Sequence, residues 1–170
     1  MVTVSPAEPA DAAAIAELLA ELSEFYGAPT AGTPGERARQ VSESLFGSPP
    51  AACALLARDG DQIAGLATYS FVWPAAGLTR SLYLKELFVA AAGRGQGAGR
   101  LLMQAIFDTA AQLGCSRVEW TTDTGNPGAR AFYAGLGLVV HPGKVFYRAD
   151  GTAGGVRLPG AERAAESDSA

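Results

Sequence analysis

The chain has 170 residues, of which 48% are hydrophobic, and this length suits one ordinary domain with a buried core. Its 13 basic and 17 acidic residues give a net charge of −4 without a basic stripe, which argues against nucleic acid as a partner. No apolar run approaches the roughly 18 residues of a membrane span and the N-terminus lacks a secretory pattern, so we expect a cytoplasmic protein with no membrane partner.

Cysteine and histidine are too scarce for a disulfide framework or a metal site. The sequence has two cysteines, Cys53 and Cys115, and one histidine, His141. Both cysteines lie in apolar surroundings, where a thiol usually serves as a small buried hydrophobe. We therefore expect a reducing compartment and no bound metal.

The first residues predict a strand followed by two helices. Residues 2–4 are typical of a short strand, and residues 9–25 have apolar positions at helical spacing. Thr33-Pro34-Gly35-Glu36 is typical of a capping box with proline at the first helical position, and the helix that it opens should end near Gly47. The solvent-facing side of the first helix is expected to carry three glutamates: Glu17, Glu21 and Glu24.

The middle of the chain predicts three strands and a parallel crossover. Asp59-Gly60-Asp61 separates two apolar runs, residues 53–58 and 62–73, and this pattern predicts a hairpin. Residues 81–89 predict a strand that runs through a glycine-rich turn into a helix at residues 97–113. A strand at residues 116–122 then implies a right-handed parallel connection.

The last part of the chain predicts a helix, two short strands and a tail. Asn126-Pro127 should open the helix and Gly137 should close it. Residues 138–140 and 144–148 predict strands, whereas residues 151–170 have the composition of a disordered tail. Together the elements predict a single mixed α/β domain over residues 1–150.

The glycine-rich turn carries the strongest functional pattern, and we call residues 94–100 the cradle. Gly95, Gly97 and Gly99 lack a Cβ, so the backbone can adopt positive φ and approach a ligand closely. The first amides of the following helix have no internal acceptor and attract anions. Arg94 adds a positive charge. The cradle therefore predicts a phosphate-binding site, although a glycine-rich loop without a ligand is the alternative.

Three phosphate-binding patterns compete for this turn. A Walker A loop is excluded because no lysine occupies the required place. Gly93, Gly95 and Ala98 match the dinucleotide fingerprint, which keeps a nicotinamide cofactor as an alternative. That fingerprint favours strand–helix–strand repeats, whereas antiparallel strands precede this turn. The third pattern is Arg-x-x-Gly-x-Gly, at residues 94–99.

Over residues 2–148 the chain resembles the GNAT superfamily of acetyl-CoA-dependent N-acyltransferases. The resemblance rests on the strand at residues 82–89, the turn at residues 94–99, and the motif Asn126-x-x-Ala129-x-x-Phe132-Tyr133-x-x-x-Gly137. With Glu24-Phe25-Tyr26 and the aromatic strand at residues 69–73, it looks most like the branch of diamine, spermidine/spermine and thialysine acetyltransferases. The resemblance implies a mostly antiparallel central sheet with one splayed parallel strand pair and flanking helices, and acetyl-CoA as cosubstrate without a metal.

The resemblance also implies where acetyl-CoA binds. The cradle amides would hold the pyrophosphate, and a bulge at residues 87–89 would leave strand groups that pair with the pantetheine arm. Asn126 would reach the pantetheine, although a simple helix cap explains this residue equally well. The implied coenzyme-binding residues are Leu87, Phe88, Val89, Arg94, Gly95, Gln96, Gly97, Ala98, Gly99, Arg100, Asn126 and Tyr133.

Acetyl transfer to an amine needs an acid and a base. The motif makes Tyr133 the implied acid, because a phenol of pKa about 10 can protonate a thiolate, while packing beside Phe132 is the alternative. An alkyl amine with a pKa of about 10.4 is mostly protonated in neutral water and must lose a proton before it attacks. Glu86, in the middle of an apolar strand, is the first candidate for the base. Glu24 is the second, and a solvated helix end is the alternative for it.

Lys85 separates this chain from the polyamine branch, which usually has an acid at that position. Strand alternation would place Lys85 and Glu86 on opposite faces unless a bulge intervenes. With Glu24 and Tyr26, these two residues are the predicted acceptor site. We expect a homodimer that acetylates a small primary amine, namely a diamine, a polyamine or an amino acid. The alternatives are acetylation of a protein lysine or N-terminus, and a non-catalytic acyl-CoA-binding module.

Overall fold

The computed structural model describes residues 1–151 and Val156, and the chain divides into two compact units, Met1–Arg130 and Ala131–Ala170. No helix in the described part combines the length and apolarity needed to cross a bilayer. Single 3-10 turns occur at Pro9–Asp11, Ala76–Leu78 and Ala91–Gly93. The strands are β1 (Val2–Pro6), β2 (Cys53–Asp59), β3 (Gln62–Val72), β4 (Ser81–Val89) and β5 (Arg117–Glu119), and the helices are α1 (Ala12–Phe25), α2 (Pro34–Phe46), α3 (Ala98–Gln112) and α4 (Pro127–Gly135).

The sheet is mostly antiparallel, as the sequence predicts. Its strands follow the order β1-β2-β3-β4-β5, and only β4 and β5 are parallel. This parallel pairing joins Ser81, Leu82 and Tyr83 to residues 117–119 and goes no further along β4. From Leu84 onwards, the edge of β4 on the β5 side therefore has no strand partner among the described residues.

Helices cover both faces of this sheet in the first unit. Ile15 of α1 packs in one apolar cluster with Leu56, Leu66 and Phe88, which share one face of the sheet, and Val41 brings α2 into the same cluster. Helix α3 lies on the opposite face, where its Leu102 side chain comes so close to Gly65 that a Cβ there would lie 3.2 Å from it. The cradle therefore joins a central strand to a helix packed on that strand's own sheet.

Local sequence signals set several boundaries correctly. The predicted capping box is confirmed, because the Glu36 amide donates to Thr33 Oγ1 at 3.3 Å and the Thr33 amide donates to Glu36 Oε2 at 2.8 Å. The hairpin of β2 and β3 is confirmed, and β4 has the predicted bounds. These elements are specified by short-range chemistry that needs no tertiary information.

The strands predicted late in the chain are the main correction. The strand expected at residues 116–122 is only Arg117–Glu119, and the strands expected at 138–140 and 144–148 are wrong, because neither segment forms a strand. Val139 is 91% exposed and Tyr147 is 87% exposed, so apolar composition has not produced burial there. A strand needs a partner for its ladder, which composition alone cannot supply. The predicted tail falls on positions outside the described residues, apart from Gly151 and Val156.

Candidate active site

The cradle has the backbone that its glycines predict. Strand β4 ends at Val89, a 3-10 turn follows at Ala91–Gly93, and α3 begins at Ala98. Gly95 has φ of +80° and Gly97 has φ of +81°, the left-handed region that favours glycine. Gly97 is the residue that precedes the first turn of α3. Two left-handed glycines, one on each side of Gln96, thus turn the chain from the strand into the helix.

The helix that follows begins without a side-chain cap. The Leu101 amide makes a helical hydrogen bond to the Gly97 carbonyl at 3.1 Å. By helix geometry, the amides of Ala98, Gly99 and Arg100 precede that bond and have no acceptor inside the helix. No side chain caps them at Gly97. A diphosphate is the kind of acceptor that such a set of amides accommodates.

The turn before the cradle packs against β3. The Ala90 amide donates to the Ala64 carbonyl at 3.0 Å, and a Cβ at Gly93 would lie 2.9 Å from that same oxygen. Gly93 is therefore required for close packing and not for a positive φ. This explains one of the glycines that the dinucleotide fingerprint would assign to a ligand.

The side chains of the cradle fold back onto the protein. Arg94 Nε donates to the Val89 carbonyl at 3.2 Å, and its guanidinium lies 5.6 Å from the centre of the Phe25 ring at the end of α1. Gln96 Nε2 donates to the Ala92 carbonyl at 3.3 Å. The exposed Arg94 cation is thus held against the end of β4 and the last residue of α1.

Glu21 makes a contact that the sequence does not predict. The sequence places it on the wet side of α1, yet its Oε1 accepts a hydrogen bond from the Ala91 amide at 3.1 Å. The two residues are 70 positions apart, and helical periodicity gives no signal for such a pairing. Glu21 and Phe25 lie four residues apart on α1, so one side of that helix contacts both ends of the turn.

The bulge in β4 lies at Lys85, which corrects the prediction for residues 87–89. Glu86 pairs with Thr68 of β3 and Leu84 pairs with Tyr69, so Lys85 is an extra residue on β4. The extra residue interrupts the alternation that would separate the two charges. Lys85 Nζ consequently lies 2.9 Å from Glu86 Oε1 in an ion pair. The structure therefore brings the two predicted acceptor-site charges together.

Lys85 is held in its charged form. The hydrogen bond to Glu86 raises the pKa of the Lys85 amine above its usual value, burial opposes this, and the charge of Glu86 and the phenols of Tyr83 and Tyr26 add to the increase. Tyr26 is thus near enough to influence this amine. The Lys85 side chain is 69% exposed and that of Glu86 30%, so the pair is open to an incoming molecule.

Glu24 lies near the end of α1 and has different neighbours from the Lys85–Glu86 pair on β4. It lines an open groove of about 710 Å³ together with Glu17, Arg58 and Asp61. No hydrogen bond or ion pair joins Glu24 to the Lys85–Glu86 pair within the described residues. Glu86 thus lies beside Lys85 and Glu24 lines a separate groove, and the roles predicted for both carboxylates stay predictions.

The predicted site residues of the α4 motif, Asn126 and Tyr133, belong to different units. Asn126 Oδ1 accepts a hydrogen bond from the Ala129 amide at 3.0 Å, which is the contact of a helix cap. Tyr133 belongs to the second unit, where its half-buried ring packs edge-on to Phe132 with centres 5.2 Å apart. The cap and the aromatic contact are thus both real, and the catalytic role of Tyr133 stays a prediction.

A mostly antiparallel sheet, one parallel strand pair and a glycine turn between a central strand and a helix define a GNAT-type acyltransferase fold. The model of the Acetyltransferase (GNAT) family matches residues 15–138. The chain belongs to that family.

Solved structures agree on the fold. An integron cassette protein from the mobile metagenome of V. cholerae is 27% identical, with 97% of this chain and 98% of that chain covered and a TM-score of 0.81. A probable acetyltransferase is 19% identical, with coverages of 88% and 98% and a TM-score of 0.76. The ribosomal-protein-alanine N-acetyltransferase of Brucella melitensis is 18% identical, with coverages of 88% and 100% and a TM-score of 0.71. At these identities the last two share the fold alone.

Proposed function

We propose that the protein transfers an acetyl group from acetyl-CoA to a primary amine of a small molecule. The geometry of the cradle is the main support for this proposal. Its left-handed glycines and uncapped amides provide an anion site at the end of β4, within a chain of the acetyltransferase family.

The residues fit the coenzyme at two places. Residues 94–100 would hold its pyrophosphate through amides and the Arg94 charge. Leu87, Phe88 and Val89 lie on the part of β4 that has no strand partner on the β5 side, where the amides of a pantetheine arm would pair like an added strand. When bound, acetyl-CoA supplies a thioester whose C–S bond breaks as the new N–C bond forms.

Glu86 would prepare the acceptor. The ammonium of the amine must lose a proton before its lone pair can attack, and a carboxylate at Oε1 or Oε2 can take that proton directly or through water. The same carboxylate attracts the cation before transfer. Glu86 stands one residue after the bulge, and its side chain is 30% exposed, so its carboxylate is accessible to an acceptor.

Tyr133 would supply the second proton. Its phenol can give a proton to the departing sulfur, which otherwise leaves as a thiolate. An ammonium loses two protons on the way to an amide. Glu86 would take one before the attack, and the second, released from nitrogen as the C–S bond breaks, balances the proton that Tyr133 gives to sulfur. The remaining acceleration comes from holding the two substrates together.

A thiol-release assay tests this function. Purified protein with acetyl-CoA should release free thiol when diamines, polyamines or amino acids are added, and none without an acceptor. Glu86→Gln should lower kcat/KM by about 10²- to 10⁴-fold near neutral pH, with a smaller loss as the pH approaches the pKa of the amine, about 10.4. Glu43→Gln, an exposed glutamate on α2, is the control. Binding of acetyl-CoA without release from any amine would reject the proposal.

A further inference from the structure

The ion pair at the bulge also bears on which amine is accepted, and this inference rests on the proposed function. Lys85 and Glu86 present one positive and one negative group 2.9 Å apart, and together they carry no net charge. Both groups are open to solvent, so either can exchange its partner for a ligand of opposite charge. The pair therefore offers a cation site and an anion site side by side.

We propose that the acceptor is a free α-amino acid, which carries a carboxylate next to its amine. Its carboxylate would bind Lys85 Nζ while its amine lies against the Glu86 carboxylate. The two charges of an α-amino acid are separated by one carbon, which suits a protein pair whose own charges are in contact. In this arrangement the amine that loses its proton to Glu86 is the one beside the carboxylate.

The charge of Lys85 disfavours the other small amines. The hydrogen bond to Glu86 keeps this amine protonated, so it is a permanent cation at neutral pH. A diamine or a polyamine can pair one ammonium with Glu86, but a further ammonium at about 4 Å from Lys85 costs about fivefold in affinity even in bulk water. A carboxylate turns that repulsion into a charge-assisted hydrogen bond.

The position of Lys85 favours recognition over a structural role. Its side chain is 69% exposed, and an exposed ion pair contributes little to folding. The bulge is what places it beside Glu86, since regular alternation would turn it to the other face. Replacing Lys85 should therefore change the choice of acceptor and leave the fold intact.

Matched acceptors test the inference. Thiol release should be measured for several α-amino acids, the corresponding amino acid amides and the corresponding decarboxylated amines, under one set of conditions. We expect kcat/KM to be about tenfold or more higher for the amino acids. Lys85→Met should remove this preference by lowering kcat/KM for the amino acids more than for the amides and amines, and Lys85→Glu should reverse it in favour of diamines. Arg39→Met removes a cation that is equally exposed and also paired with a glutamate, and it should keep the preference.

The outcomes separate the two proposals. Equal or better turnover of the amides or decarboxylated amines by the unmodified protein would overturn the inference while supporting acetyl transfer. A Lys85→Met variant that loses activity equally toward every acceptor would overturn it as well. Release from no acceptor of any kind, with acetyl-CoA bound, would overturn the proposed function and this inference with it.

Discussion

Glu21 Oε1 accepts a hydrogen bond from the Ala91 amide at 3.1 Å and so ties the first helix to the turn that precedes the cradle. Because that turn sets where the cradle begins, we expect Glu21→Ala to weaken acetyl-CoA binding about tenfold. Glu21→Gln keeps an oxygen acceptor and should restore most of the affinity. Calorimetric titration with acetyl-CoA measures both.

Glu17→Ala is the matched control for Glu21, because Glu17 lies one turn earlier on α1 and pairs with Arg37 instead of the turn. Its acetyl-CoA affinity should equal that of the unmodified chain. If Glu21→Ala behaves like this control, the hydrogen bond does not position the cradle.

Tyr133→Phe should lower kcat by about 10²-fold or more, since it removes the phenol that would protonate the sulfur. Acetyl-CoA affinity should change much less, because the aromatic contact with Phe132 is kept. Tyr147→Phe removes the same oxygen from an 87% exposed ring of the same unit and serves as the control. Unchanged turnover in Tyr133→Phe would remove that residue from the mechanism.

The Asp11–Arg58 ion pair should make folding sensitive to acid. Burial raises the pKa of the Asp11 carboxyl, but hydrogen bonds from Arg58 and the Glu8 amide and the charge of Arg58 outweigh it, so the pKa lies below its usual value. A lowered folded-state pKa stabilises the fold above the unfolded value of about 3.9, and this contribution is lost as the pH falls through the folded-state pKa.

Asp11→Asn should therefore lower the free energy of unfolding by about 1–3 kcal/mol at pH 7, with a smaller difference in acid. Urea denaturation at pH 7 and at acidic pH measures the free energy of unfolding of each variant. Asp59→Asn breaks a solvent-exposed pair with the N-terminal amine and should cost less than about 1 kcal/mol. Equal losses for both variants would contradict the account.

Tyr69 should affect stability at the alkaline end. Burial, with Cys53 on the neighbouring strand, raises the pKa of the Tyr69 phenol to about 12. The unfolded chain releases this proton near pH 10, so the contribution is complete below about pH 10 and is lost as the pH rises toward about 12. Tyr69→Phe should consequently lose less unfolding free energy than the unmodified chain between pH 9 and about 11. If the two proteins lost the same unfolding free energy over this pH range, Tyr69 would not be the source of the effect.

The fold was predictable where the signal is local. Thr33 and Glu36 form their capping box within one helical turn, and Gly97 adopts the positive φ that its position at the start of α3 requires. The strands expected at residues 138–140 and 144–148 failed because a strand is stabilised by its neighbours, and composition says nothing about those.

The candidate site was predictable in its residues more than in its geometry. Glu86 and the cradle follow from charge and glycine spacing, but the bulge at Lys85 depends on how β3 and β4 align. A one-residue difference in that register decides whether two charges lie on opposite faces or in contact. Glu21 was missed for a similar reason, since its partner lies in a distant part of the chain.

Calorimetric titration of Gly97→Val with acetyl-CoA tests the cradle most directly. Gly97 has φ of +81° and nothing lies within 4 Å of a Cβ there, so the variant strains the turn without filling the core. Gly114→Val imposes a similar strain at the other end of α3, where φ is +67°, and controls for lost stability. We predict that Gly97→Val stays folded and loses acetyl-CoA binding while Gly114→Val retains it. Tight binding by a folded Gly97→Val protein would contradict the assignment of the cradle as the coenzyme site.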